Sequence, residues 1–191
     1  MKRLLLVLAA ACLVLGAPAI SPADQTTQLL QETIKTWQDG KPKEALQQAD
    51  QAVQLIWNKV PLYVQKAVLT ETKAQSYGIY TPRADNVYQA KKATILLYVE
   101  PVGYRINKTP DDFYTFGFTA DLAIMDTEEN ILVGKENFMS VDFKSRTFNR
   151  EIFLNITVNI GGMPPGDYLL GLRIKDTSGQ STPLRVPVTF K

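Results

Sequence analysis

Met163-Pro164-Pro165-Gly166-Asp167-Tyr168 opens the stretch that decides the fold, and Asp176-Thr177-Ser178-Gly179 divides the rest of the chain into two strand-length runs. The Pro-Pro-Gly sequence reads as a turn, because proline fixes φ and glycine accepts conformations that side chains avoid. Asp-x-x-Gly is hairpin chemistry. The flanking runs, Asp167 to Lys175 and Leu184 to Phe190, are rich in β-branched and aliphatic residues and are expected to form the last two strands. Pro187 cannot donate to a ladder, so it requires a sheet edge or a bulge.

Working outward, the clearest alternation runs from Arg150 to Ile160, where Ile152, Leu154, Ile156, Val158 and Ile160 alternate with Phe153, Asn155, Thr157 and Asn159. From Phe113 to Asp126, Tyr114, Phe116, Phe118, Ala120, Leu122 and Ile124 share one face. Further strands are expected at Leu62 to Glu71, Thr94 to Glu100, and Ile131 to Phe143, the last in two pieces around Gly134. This pattern resembles the immunoglobulin-like and fibronectin type III-like sandwiches in strand number and spacing. Tyr168 stands near the start of the penultimate strand, where such domains carry a tyrosine corner. The resemblance implies an antiparallel β-sandwich over residues 62–191 and transfers no activity, since these sandwiches serve adhesion, ligand binding and spacing alike.

Upstream, the period changes from two to between three and four. Leu29, Leu30, Ile34 and Trp37, then Ala45, Leu46, Ala49, Ala52, Val53 and Ile56, recur at helical spacing, interrupted by Asp39-Gly40-Lys41-Pro42. The spacing predicts a helical hairpin over residues 24–58, with Leu29, Ile34, Trp37, Leu46 and Val53 as its apolar seam. Asp39-Gly40 followed by Lys43-Glu44-Ala45-Leu46, Ala49, Ala52-Val53 and Leu55 resembles the turn and second helix of one tetratricopeptide repeat. Thr36 stands where that family has an aromatic, and Trp57 where it has proline. The resemblance implies peptide or protein contact, and no second copy follows. The fold expected for the whole chain is therefore mainly β with an α-helical appendage.

The first 23 residues read as a signal peptide: Lys2 and Arg3 are the basic start, Leu4 to Leu15 an apolar run too short to span a bilayer as a mature helix, and small residues follow. Cleavage fits after Ala19 or after Ala23, the second preferred because it also removes Ile20. Cys12 follows Ala9-Ala10-Ala11 as a lipoprotein cysteine would, but the apolar run continues through Leu13, Val14 and Leu15, which favours an ordinary leader residue. A periplasmic or secreted protein is expected, with no further segment able to span a membrane. The arrangement of leader, hairpin and sandwich is similar to that of exported bacterial proteins, a similarity that implies no activity.

Removing residues 1–23 leaves equal numbers of basic and acidic side chains, without the dense basic stripe that nucleic-acid binding needs. The chain has no histidine, and its one cysteine lies in the leader. A Ser-His-Asp triad, a Cys-His pair, a disulfide and a His- or Cys-ligated metal are thereby excluded from the mature protein. No cofactor and no metal are expected. A carboxylate pair drawn from Glu100, Asp111-Asp112, Asp121, Asp126 and Glu128-Glu129 is the remaining catalytic option, of glycosidase type, although most of these acids sit in turn sequences that solvation explains.

The segment Tyr77 to Tyr88 is too long for a tight turn and carries three tyrosines and an arginine. Tyr77, Tyr80, Arg83 and Tyr88 are the candidate binding residues, because aromatics with polar tips suit protein contact or sugar stacking. The alternative is a loop that packs its rings over the sandwich and keeps a small core of its own. The expected function is a non-catalytic binding or adaptor module for an envelope protein. A carbohydrate- or cell-wall-binding sandwich is the second reading and a carboxylate-dependent glycosidase the third.

Overall fold

A computed structural model describes residues 22–191; all of the expected leader but Pro22 and Ala23, including Cys12 and Ala19, lies outside the described residues. The chain divides into two compact units, one ending at Ala52 and the other running from Val53 to Lys191.

In the first unit, α1 (Pro22–Gln38) and most of α2 (Pro42–Trp57) form the expected hairpin. Both helices start on proline, whose missing N–H costs nothing in a first turn, and Asp24 and Glu44 place negative charge at the positive helix ends. Gly40, at φ 74°, ends α1. The Lys41 N–H donates to Thr36 O and the Gly40 N–H to Trp37 O, the pair of bonds that closes a helix through a left-handed glycine. The apolar seam differs from the expected one. Leu29, Thr33, Thr36, Gln48 and Ala49 are half-buried and Ala45 is buried, whereas Ile34, Trp37 and Leu46 are 58%, 65% and 72% exposed. Small alanines and short threonines occupy the inner positions, and the larger side chains fall beside them.

The boundary lies inside α2, earlier than residue 58, because the last turn belongs with the sandwich: Trp57 is buried in its core, and its Nε1–H donates to Tyr104 O at 2.9 Å. The long strands of this unit are β1 (Tyr63–Leu69), β3 (Ala93–Val102), β5 (Tyr114–Met125), β6 (Ile131–Ser145), β7 (Leu154–Ile160), β8 (Gly166–Asp176) and β9 (Ser181–Phe190); β2 (Val87–Tyr88) and β4 (Asn107–Lys108) are two-residue pieces. One sheet is β1-β3-β7. The other is β9-β8-β5, with β6 along β5, β2 parallel to the end of β9 and β4 at the start of β5. Counting only long strands, the first, second and fifth face the third, fourth, sixth and seventh across a β-sandwich.

Alternating inward residues fill the space between the sheets. Ile95, Leu97 and Val99 of β3 and Ile156 and Val158 of β7 meet Phe116, Phe118, Ile124, Leu170, Ile174 and Val188. The Tyr168 hydroxyl donates to Pro164 O at 3.0 Å, closing a corner onto the backbone four residues upstream. Asp176 organises the last hairpin by accepting from Ser178 N, Ser178 Oγ and Gln180 N, and its other oxygen accepts from Arg105 N. Pro187 lies where β9 has no second ladder, since β2 pairs only with Thr189 and Phe190.

Two strand expectations change. β6 is continuous through Gly134; its register against β5 shifts at residues 136–138, where Asn137 takes φ 48°, and again at Leu132, which the ladder skips between Ile131 and Val133. The strand expected from Arg150 begins only at Leu154, although Ile152 is buried as the alternation requires.

Candidate functional site

β3 is buried on both faces, and the second face is where the aromatic loop lies. Tyr98 and Glu100 point away from the inter-sheet core, between Val68 and Lys66 of β1 on one side and Asn155 of β7 on the other. They are covered by residues 70–86, which leave β1 and return before β2. The segment is an ordered element: Glu71 N–H donates to Thr81 O, Arg83 N–H to Leu69 O, and Gln75 N–H to Ile79 O. Asn155 anchors it from the sheet, with its Oδ1 accepting from Ala74 N and its Nδ2 donating to Ala74 O, each at 2.9 Å.

Tyr98 is the centre of this region. Its ring lies 4.4 Å from that of Tyr80 and 5.5 Å from that of Phe153. Its hydroxyl donates to Glu100 Oε1 at 2.6 Å and accepts from the Gly78 amide at 2.8 Å, so one oxygen links strand to loop. The Glu100 side chain is only 3% exposed; the Tyr77 phenol feels its charge, and Lys66 Nζ stands 3.8 Å away at the half-open edge. A buried carboxylate needs such partners, because a lone charge away from water is strongly unfavourable.

The phenols respond accordingly. Burial, then the bond to Glu100, pushes Tyr98 well above the usual phenol range. Burial does the same to Tyr104, burial also raises Tyr88, and burial with the nearby Glu100 charge raises Tyr77. Folded chains then hold these protons above about pH 10, where unfolded chains release theirs. The native state binds more protons there, so stability is intact below that pH and falls as pH rises beyond it. In an ultraviolet titration to about pH 12, these tyrosines should ionise together with loss of near-ultraviolet circular dichroism. Free titration of all eight tyrosines in a chain that stays folded would contradict the buried network.

The expected binding residues fall into two groups. Tyr77 and Tyr80, both half-buried, gather around Tyr98 and Glu100. Arg83 and Tyr88 form the other group. The Arg83 guanidinium lies 4.6 Å from the Tyr88 ring centre while Nη2 donates to Asp85 Oδ1 at 2.9 Å and to Val87 O at 3.1 Å. Tyr88 is buried, 6.4 Å from Phe190. Sequence reasoning left Tyr98, Glu100, Phe153 and Asn155 out of this site. The available signal was the position of Tyr98 and Glu100 opposite Leu97 and Val99, which puts an aromatic and an acid on the face that a long connection could cover.

Glu100 has phenols and an ammonium as neighbours, whereas glycoside hydrolysis needs a second carboxylate across a substrate-sized gap. The loop acids are tied locally: Asp111 to Thr109 and Lys144, Asp112 to Lys108, Asp126 to Asn130, and Glu129 to Arg185. Among the described residues, no three metal-ligating side chains gather. Open surfaces also lie elsewhere among the described residues. A groove of about 440 Å³ on the hairpin is lined by Ile34, Trp37, Pro42, Ala45, Leu46 and Ala49, with Thr33 and Gln38. A trough of about 550 Å³ crosses the outer face of the larger sheet. No protein-family model matches this chain, and no curated protein matches its sequence.

Proposed function

We propose that this protein is an exported, non-catalytic binding module that makes protein contact in the cell envelope or outside the cell through its helical hairpin. The observation that carries this reading is the exposure of Ile34, Trp37 and Leu46 around one groove contributed by both helices. A repeat-like helix pair cannot bury all its apolar surface alone, and in solenoids the next helix does so. The partner that fits is an amphipathic helix whose apolar ridge enters the groove, with Trp37 as the anchor residue. The sandwich is then the folded body that carries the hairpin.

A tagged mature protein should retain a partner from its native envelope, and the double variant Trp37→Ser, Leu46→Ser should weaken capture at least about tenfold, roughly 1.4 kcal/mol. Its unfolding midpoint should not fall, because both side chains are more than half exposed already. Undiminished capture by this variant would refute the hairpin as the contact.

Glycan binding by the loop is the second reading, favoured by Tyr77 and Tyr80 keeping part of their rings in solvent. It predicts that Tyr80→Ala, Arg83→Ala abolishes binding to cell-wall glycan in a chain that remains folded.

A further inference from the structure

A second surface, in the sandwich unit, carries an inference independent of the hairpin. The outer face of the larger sheet has a row of small residues in register, Gly134 of β6, Ala123 of β5 and Gly171 of β8, ending at Arg185 of β9. The row is the floor of the trough. At Gly171 the Met125 side chain takes the space a Cβ would occupy, its Cε lying 2.6 Å from that position. Met125 lies on the apolar side of the floor with Ile131, and Asp121 and Arg173 form the other side. Lys175 Nζ and the Asn137 amide hold the Asp121 carboxylate, whereas Arg173 has no ion pair among the described residues.

At one end of this trough stands the β5–β6 hairpin tip, whose chemistry is its complement. Ile131, Leu132 and Val133 are each more than half exposed on an edge strand with β5 as its one ladder partner. Exposed apolar runs on an open edge are what soluble sheets ordinarily avoid. Beside them, Asp126 and Glu129 are engaged by Asn130 and Arg185, while Glu128 has no side-chain partner among the described residues. The tip therefore offers three aliphatic side chains and a carboxylate without a side-chain partner, and the trough offers the small-residue floor and the Arg173 guanidinium, cross-strand to Asp121, with Lys135 and Glu136 on its β6 side.

We propose that a second copy of this chain occupies the trough, the tip of each copy seated in the trough of the other, with Glu128 of one protomer against Arg173 of its partner. The two features adjoin, since Ile131 belongs to both, and a two-fold contact needs one self-complementary surface of this kind. The trough crosses four strands, roughly 14 Å between the outer two, which places the contact at the small end of stable interfaces.

Sedimentation equilibrium of the mature chain over about 1–200 µM tests this. Dimers weakened by salt are expected, since the contact includes exposed charges. Glu128→Lys and Arg173→Glu should each raise the dissociation constant at least about tenfold, and the double charge exchange should return it to within about threefold of the original. Leu132→Glu should give monomers whose circular dichroism is unchanged. A monomer throughout that range, or dimers indifferent to both charge reversals, would overturn the proposal. Trp37→Ser, Leu46→Ser should dimerise normally, so the hairpin contact and this one can fail separately.

Discussion

Trp57→Ala should destabilise the sandwich by about 3–5 kcal/mol, a large share of what a domain of this size possesses. Trp57 is buried at the head of the aromatic row, edge-on to Tyr104 at 5.1 Å, and Tyr104 lies 5.2 Å and 5.0 Å from Phe116 and Phe118. Truncation removes the ring, leaves a cavity that this row is too rigid to fill, and strips Tyr104 O of its donor. Trp57→Phe keeps most of the contact and loses only the N–H, so about 1–2 kcal/mol is expected. Urea unfolding of the three proteins checks the order. A loss below about 1 kcal/mol for the alanine variant would mean that the end of α2 is not part of the core.

The second large effect is expected at Tyr98. Tyr98→Ala removes the ring sandwiched between Tyr80 and Phe153 together with the hydroxyl that joins Glu100 to Gly78, at a cost of about 3–5 kcal/mol. Tyr98→Phe isolates the hydroxyl: Glu100 loses a buried donor and the Gly78 amide its acceptor, for about 1–3 kcal/mol. The informative difference is local. Amide exchange at Gly78 should accelerate in the phenylalanine variant well before the sandwich unfolds, since the other anchor, Asn155 on Ala74, holds a different part of the loop. Unchanged exchange at Gly78 would show that the hydroxyl does not fasten the loop.

How far the sequence could be read depended on the range of each interaction. Alternation from Ile152 to Ile160 and the Pro-Pro-Gly and Asp-x-x-Gly turns are local signals, and they locate the strands, the tyrosine corner and the final hairpin. Fold class followed from them. The irregularity at residues 136–138 left no such mark, because Gly134 looked like the break while a bulge opposite Asp121 is set by pairing with β5. Helical spacing likewise identified two helices but ranked their residues by size. Ala45, Thr33 and Thr36 line the inner side because they are small, and Ile34, Trp37 and Leu46 are left outside.

The aromatic loop was conspicuous as composition, but its role depends on partners far along the chain. Tyr98 lies twenty residues from Gly78, and Asn155 eighty-one from Ala74. Neither distance can be inferred from a window of sequence. The trough was equally hidden, since Gly134, Ala123 and Gly171 become neighbours only through three ladders.

Site-specific photocrosslinking in the native envelope tests the proposed binding role most directly. A photoreactive phenylalanine derivative at position 37 should give one discrete adduct with another protein, and the same group at Glu32, on the polar side of α1, should give none. Absence of an adduct at position 37, or the same adducts from both positions, would contradict the hairpin as a partner-binding surface.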